Sequence, residues 1–356
     1  MLTYWIMFFL PASLALTRIR PVQINGTRWS GYWRIAFVLL VLIIGLRDQI
    51  GVDWGNYLDY ILVAENDSLY QALTRTEPAY SFLNWLAVQF GLGLYMVNTA
   101  CAALFSSGLI VFCRAQPRPW LALVVALPYL VIVVAMGYTR QGVAIGLVML
   151  GLVALSERKL LRFVFFIVLA AIFHKSAVIL MPLAVLANTR NRIWTTFWVG
   201  LTTLLFFVLL LQESVEAFTS MYIDAQYDSA GAAVRVAMNA LPAVLFLLLR
   251  RRFAMPQADR ALWSWMSWGA LAFVGLLEVS PSSTAVDRVA LYWIPLQLFV
   301  LSRLPDALGQ RNGQNVFWVY AVVAYSASVL FVWLFFAVHA FAWLPYRFYP
   351  WALIWT

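Results

Sequence analysis

Seven basic residues stand at the ends of apolar runs or in the short stretches between them: Arg47, Arg75, Arg140, Lys175, Arg235, Arg288 and Arg347. A guanidinium offers a planar fork of N–H donors that fits phosphate oxygens. Several converging on one place would hold a pyrophosphate and stabilise it as a leaving group. Taken singly, each also fits a cation snorkelling at the end of a membrane span. Three local sequences add further chemistry. In Arg47-Asp48-Gln49-Ile50-Gly51-Val52-Asp53-Trp54-Gly55-Asn56-Tyr57, glycines can fold a loop back over a cavity and Asp53 can accept a proton. An ordinary solvated acidic loop has the same composition. Gly137-Tyr138-Thr139-Arg140-Gln141-Gly142 reads as a tight turn opening a helix, whose N-terminal field beside Arg140 favours an anion. Phe173-His174-Lys175-Ser176-Ala177 places an imidazole, the side chain best suited to acid–base work near neutral pH, between two apolar runs. A structural histidine bonded to a neighbouring helix satisfies the same pattern. His339, the only other histidine, reads as interfacial.

The elements that must position these groups are membrane helices. Of 356 residues, 64% are apolar and 11% charged, against roughly 45–50% and about 25% in soluble domains. A bilayer accepts that much apolar surface; a soluble fold cannot hide it. The 17 Trp and 16 Tyr favour the membrane–water interface. The hydropathy pattern predicts a single integral membrane domain over 1–356, all-α, with about twelve crossings. They lie near 2–16, 33–46, 94–113, 119–136, 139–155, 161–174, 176–188, 192–211, 235–249, 261–279, 288–302 and 315–339. Leu2–Leu16 has no basic n-region and reads as a first span rather than a cleaved signal. Segment 55–92 is too mixed for a span and predicts one or two surface helices. The two runs flanking His174 hold roughly 13 residues each, too few to cross a ~30 Å core if straight, so that point can dip into the membrane. Cys101 and Cys113 lie too far apart on one helix to bond, and no Cys/His pair has zinc spacing, so the sequence predicts no metal and no cofactor.

Charge orients the map. Seventeen of the 24 Lys and Arg residues fall on one side, in turns holding Arg18, Arg20, Arg28, Arg34, Arg114, Arg118, Arg158, Lys159, Arg162, Arg190, Arg192, Arg250 to Arg252, Arg260, Arg303 and Arg311. Only Glu157, Asp259 and Asp306 among the acidic residues join them. The positive-inside rule makes this the cytoplasmic side, with both termini and the loops 47–93 and 212–234 outside. The net charge of +9 is thus spread through membrane turns and does not point to nucleic acid. The few basic residues left on the outer side are the ones that need a reason.

In this setting the chain resembles the EpsG family of bacterial exopolysaccharide polymerases, a branch of the Wzy-type group. The resemblance rests on Arg47…Gly51-Val52-Asp53…Tyr57, Glu77-Pro78, Arg140-Gln141, Phe173-His174-Lys175-Ser176-Ala177, Asp287-Arg288…Tyr292 and Leu344-Pro345-Tyr346, in that order. Trp54 stands where a tyrosine is expected. The resemblance implies a metal-independent glycosyltransferase of GT-C-like fold in the bacterial inner membrane, acting on its periplasmic face. Its substrate would be an undecaprenyl-diphosphate-linked oligosaccharide, and a repeat-unit flippase and a chain-length regulator would be functional partners. It implies pyrophosphate binding by Arg47, Arg140, Arg235, Arg288 and Tyr292, with catalytic roles for Arg140, Arg288, Asp53 and His174. Asp53 and His174 are not ranked as the proton acceptor. Trp54, Tyr57, Tyr222 and Tyr227 would meet sugars, the last two from the loop 212–234, which also suits a solvated lid.

Other classes fit less of the sequence. A two-times-six transporter would have cytoplasmic ends and a long central connection, whereas spans six and seven meet here at an outer His-Lys-Ser turn. A ligase that hands finished polysaccharide to an acceptor uses the same diphosphate logic and stays open. Acyl transfer rests on His174 alone.

Overall fold

The computed structural model describes residues 1–21, 29–186, 194, 197, 200–201, 231–280, 282–310 and 313–351. Its elements are α1 (Leu2–Thr17), α2 (Gly31–Gly45), α3 (Trp54–Glu65), α4 (Leu69–Thr74), α5 (Pro78–Gln89), α6 (Gly93–Arg114), α7 (Pro119–Ala135), α8 (Thr139–Ser156) and α9 (Leu160–Phe173). After a 3₁₀ segment, Lys175–Leu186, come α10 (Ala232–Leu249), α11 (Gln257–Val279), α12 (Ser283–Leu308) and α13 (Val316–Phe336). The protein is an all-α membrane protein. Six of these helices, α6, α8, α10, α11, α12 and α13, are long and apolar enough to cross a bilayer. Five shorter apolar pieces (α1, α2, α7, α9 and the 3₁₀ segment) fall where further crossings were expected, and the expected span 192–211 lies largely outside the described residues. Segment 55–92 forms three helices instead of one or two. The extra start comes from Ser68 and Gln71, which cap each other's backbone N–H groups, and Pro78 then opens α5 without needing a donor.

Burial sorts the long helices. The most apolar stretches of α8 and α12 are each 78% buried, whereas those of α10, α11 and α13 are 33%, 33% and 28% buried. The first pair therefore forms the interior, and the others present apolar faces outward, as lipid-facing helices do. Small residues let the interior close. A Cβ placed on Gly108 of α6 would stand 1.9 Å from the carbonyl oxygen of Gly146 on α8, so the two backbones touch. Gly45 of α2 meets Thr99 of α6 in the same way. In a bilayer, where helix association depends on such close contact, small residues permit dispersion gains that a bulky side chain would prevent. α7 departs from the α-helix at Leu127–Ala135, which is π-helical. Pro128 withholds a donor there, and toward the far end of the stretch the Trp343 indole donates to the Ile132 carbonyl at 2.8 Å.

The charged turns collect at two ends. Arg118 makes a bidentate pair with Asp306 at 3.0 and 2.7 Å and donates to the carbonyls of Ile19 and Gly313. Arg303 donates to Gln116 at 2.7 Å, and Asp259 stands close to Ser156, Arg158 and Arg303. These turns all belong to the arginine-rich side of the sequence map. α8 leads from there, at Ser156, to Thr139 roughly 27 Å away, where the remaining cations gather.

The Gly108–Gly146 contact generates a test. Gly108→Val forces α6 and α8 apart and lowers the thermal midpoint of the purified protein, at a cost of about 1–3 kcal/mol or more. Gly275→Ala on α11, where a Cβ meets open space, leaves the midpoint unchanged or slightly raised. Equal midpoints for the two variants would refute this account of the packing.

Candidate active site

Four successive residues at the start of α8 hold separate parts of the chain, two of them meeting at Arg288. Tyr138 lies beneath Arg288, with the guanidinium carbon 4.5 Å from the ring centroid. Thr139 accepts from Arg47 at 2.7 Å through its hydroxyl, and its backbone N–H donates to the Tyr57 hydroxyl at 2.8 Å. Arg140 pairs with Glu77, and its guanidinium lies 4.9 Å over Tyr60 and 5.8 Å over Tyr80. Gln141 donates to the carbonyl of Arg288 at 2.5 Å. The turn can be crowded this way because Gly137 lacks a side chain. A Cβ there would lie 2.4 Å from the Trp343 ring. Gly51 packs on the same spot in a left-handed conformation (φ 101°), 3.0 Å from the Gly137 Cα by its own would-be Cβ. Two of the motifs singled out in the sequence therefore touch through paired glycines.

Glu77, at the N-terminus of α5, is the node of a second cluster. One carboxylate oxygen meets Arg140, and the other lies 2.7 Å from Nδ1 of His174. His174 is placed by the turn between α9 and the 3₁₀ segment, where α9 ends and the backbone becomes extended. Its ring is parallel to that of Tyr292 within 18°, with centroids 6.4 Å apart. Burial alone would push the Glu77 carboxyl up, but the hydrogen bond from His174, reinforced by Arg140, holds it below its ordinary value of 4.5. Further round the same end, Arg235 of α10 makes a bidentate pair with Asp287 of α12 at 2.6 and 2.7 Å. Arg288, the next residue, forms no ion pair among the described residues, and its charge is met only by the Tyr138 ring. Asp53 is half-buried, lies close enough to Tyr57 and Tyr138 for its charge to act on both phenols, and makes no side-chain hydrogen bond among the described residues.

A late segment closes this end. Asp48 N–H donates to the Arg347 carbonyl at 3.0 Å, Tyr349 N–H to Leu46 at 2.9 Å and Gly51 N–H to Ala342 at 3.0 Å. Tyr95 donates to Asp48 at 2.6 Å and stacks on Tyr349, with centroids 3.6 Å apart. Tyr4 and Tyr346 tie the same segment to α1 and α2 through the Trp343 and Ile43 carbonyls, each at 2.8 Å.

The structure thus gathers Arg140, His174, Arg235, Arg288 and Asp53 at one end of the bundle, and adds Glu77 and Asp287 as their partners. Three expected substrate contacts are enclosed instead. Arg47 is 0% exposed and donates through its terminal nitrogens to Ile44, Thr139 and Asn98, so it braces the turn from inside the protein. Tyr57 is buried under the turn, its phenol pushed up to about 12 by burial with Asp53 nearby, and its oxygen is occupied by Thr139. Tyr292 is 0% exposed, and its hydroxyl has no hydrogen-bond partner among the described residues. Trp54 is half-buried between Arg47 and Tyr95, 6.0 and 6.1 Å away. Tyr222 and Tyr227, with the loop 212–230, lie outside the described residues. Glu77 was visible in sequence only as the acidic residue before Pro78; nothing local pointed to its partners.

Glu77 also gives a pH test. Its carboxyl is depressed in the folded protein, so its contribution to stability is present above the unfolded value and is lost as pH falls through the folded one. The wild-type thermal midpoint should fall below about pH 4.5, and Glu77→Gln should flatten that fall. At neutral pH the same variant should lose about 3–5 kcal/mol, because Arg140 and His174 lose a buried partner. Parallel acid titrations of the two proteins would discount Glu77 as the source.

Neither the curated proteins nor the solved structures contain a match to the chain. The family model for the EpsG family matches residues 31–348, which takes in the α2 span, the turn at α8, the His174 hairpin and the closing segment. The chain belongs to the EpsG family.

Proposed function

We propose that the protein polymerises undecaprenyl-diphosphate-linked oligosaccharide repeat units into exopolysaccharide or O-antigen. It does so from the inner membrane of a bacterium, with the Arg140 end of the bundle and both termini facing the periplasm. EpsG membership suggests a polysaccharide polymerase, a glycosyltransferase-type activity, and the helices fit a membrane setting. The fold is read as GT-C-like with about twelve crossings. The observation that carries the mechanism is the unequal pairing of the outer cations. Arg235 is neutralised by Asp287, and Arg140 shares Glu77 with His174, whereas among the described residues Arg288 meets only an aromatic face.

In this reading Arg288 and the exposed part of Arg140 take the pyrophosphate of the carrier. As the glycosidic C1–O(phosphate) bond breaks, the electron pair moves onto the phosphate oxygen, and fixed guanidiniums stabilise the growing charge without a metal ion. Asp53 and His174 are the groups able to receive the proton of the attacking acceptor hydroxyl. Arg235 shapes the rim beside Arg288 through Asp287, and Arg47 braces the turn from behind. Trp54, together with Tyr222 and Tyr227 of the loop 212–234, is the aromatic set proposed for sugars. A flippase would deliver repeats to this face, and a chain-length regulator would limit the product.

Incubating the purified protein with one lipid-linked repeat, in the absence of divalent metal, should produce a ladder of lengthened products. Arg288→Ala should reduce the rate roughly 10²–10³-fold, the loss typical for removing one donor to a developing anion. No ladder with the correct repeat would overturn the polymerase reading. A single transfer to a different acceptor would replace it with a ligase.

A further inference from the structure

We infer that Glu77 is a positioning residue that fixes His174 in the Nδ1-protonated tautomer, so that Nε2 is the atom that takes the proton of the acceptor hydroxyl. The inference rests on the reading of the site as a glycosyltransferase centre, and it decides between the two candidate proton acceptors.

The geometry leaves one arrangement. One Glu77 oxygen is committed to Arg140, whose guanidinium has donors only. The other oxygen lies 2.7 Å from His174 Nδ1. An ionised carboxylate can only accept, so the hydrogen between them sits on Nδ1, and when the ring carries a single hydrogen its lone pair is on Nε2. Tyr292, itself fully enclosed, lies beside the ring with its own ring nearly parallel, the centroids 6.4 Å apart. The His174 side chain remains 21% exposed, and Nε2 makes no hydrogen bond among the described residues. One edge of the ring is thus anchored while the other stays open.

The same carboxylate places a cation beside the base. When the acceptor oxygen bonds to C1, its proton moves to Nε2, and the C1–O(phosphate) electron pair moves to the diphosphate. Glu77 then faces an imidazolium and Arg140 together, and the ring returns its proton to the departing diphosphate or to water. A carboxylate that orients an imidazole and stabilises its protonated form does not itself need to take up the proton. Asp53 has no such anchoring partner among the described residues.

The chain contains only two histidines, which makes the inference directly measurable. Nitrogen-15 spectra of protein labelled at histidine and reconstituted in lipid would give two ring patterns, with His339 assigned from its disappearance in His339→Asn. A neutral His174 ring carrying hydrogen on Nδ1, which loses that preference in Glu77→Gln, is expected. A ring protonated at Nε2 in the wild type would overturn the inference without any activity assay. With the lipid-linked repeat, His174→Gln and Glu77→Gln should each slow transfer roughly 10²–10⁴-fold, and Glu77→Asp should recover part of the rate. A wild-type rate in His174→Gln would overturn it too. A wild type that makes no ladder but shows the expected tautomer would count against the polymerase reading alone.

Discussion

The Arg140 end of the molecule depends on how the chain enters α8. Gly137 removes a side chain where Trp343 and Gly51 need the room, and the next four residues then bind separate parts of the chain. Arg47, Tyr57, Glu77 and Arg288 each attach to this turn, directly or through a neighbouring group. The physical constraint is the cost of charge near hydrocarbon. A guanidinium at the membrane boundary has to be paired, stacked or wet. Arg47 and Arg235 are paired or hydrogen-bonded, Arg140 is both paired and stacked, and among the described residues Arg288 is stacked only. This graded neutralisation separates structural cations from those with charge to spare, although all are arginines near a span end.

The membrane character, the sites of the apolar segments and the separation of turns into two sets were legible in the sequence, because hydropathy and charge are local properties summed over short windows. The Arg118–Asp306 and Arg303–Gln116 contacts join turns that the charge count had already put together. Pairing was not legible. Glu77 meets residues 63 and 97 positions away, and no local pattern distinguishes it from a solvated carboxylate before a proline. Arg47 illustrates the converse. Its place after an apolar run suits an exposed cation, but Asn98, Thr139 and the return of the chain three hundred residues later enclose it. Segment 55–92 was underestimated because its amphipathic composition hides two interruptions, the Ser68 cap and Pro78.

The rigid interior and the adaptable rim have separate chemical origins. Contacts such as Gly108 on Gly146 hold helices by close backbone approach, with little tolerance for change. The rim around Arg140 and His174 is held by directed polar contacts and aromatic faces. These keep groups oriented where water and substrate must have access. A glycosyl donor bound there would meet cations that are already placed, so little reorganisation is needed as charge develops.

The hydrogen bonds from Asp48, Gly51 and Tyr349 join the loop after α2 to a segment some three hundred residues further along. During synthesis the loop leaves the ribosome first and must remain in place while every later helix is inserted. Its last partners arrive only with residues 342–349. The membrane body can therefore assemble helix by helix, whereas the Arg140 end is completed only when residues 342–349 join the loop after α2.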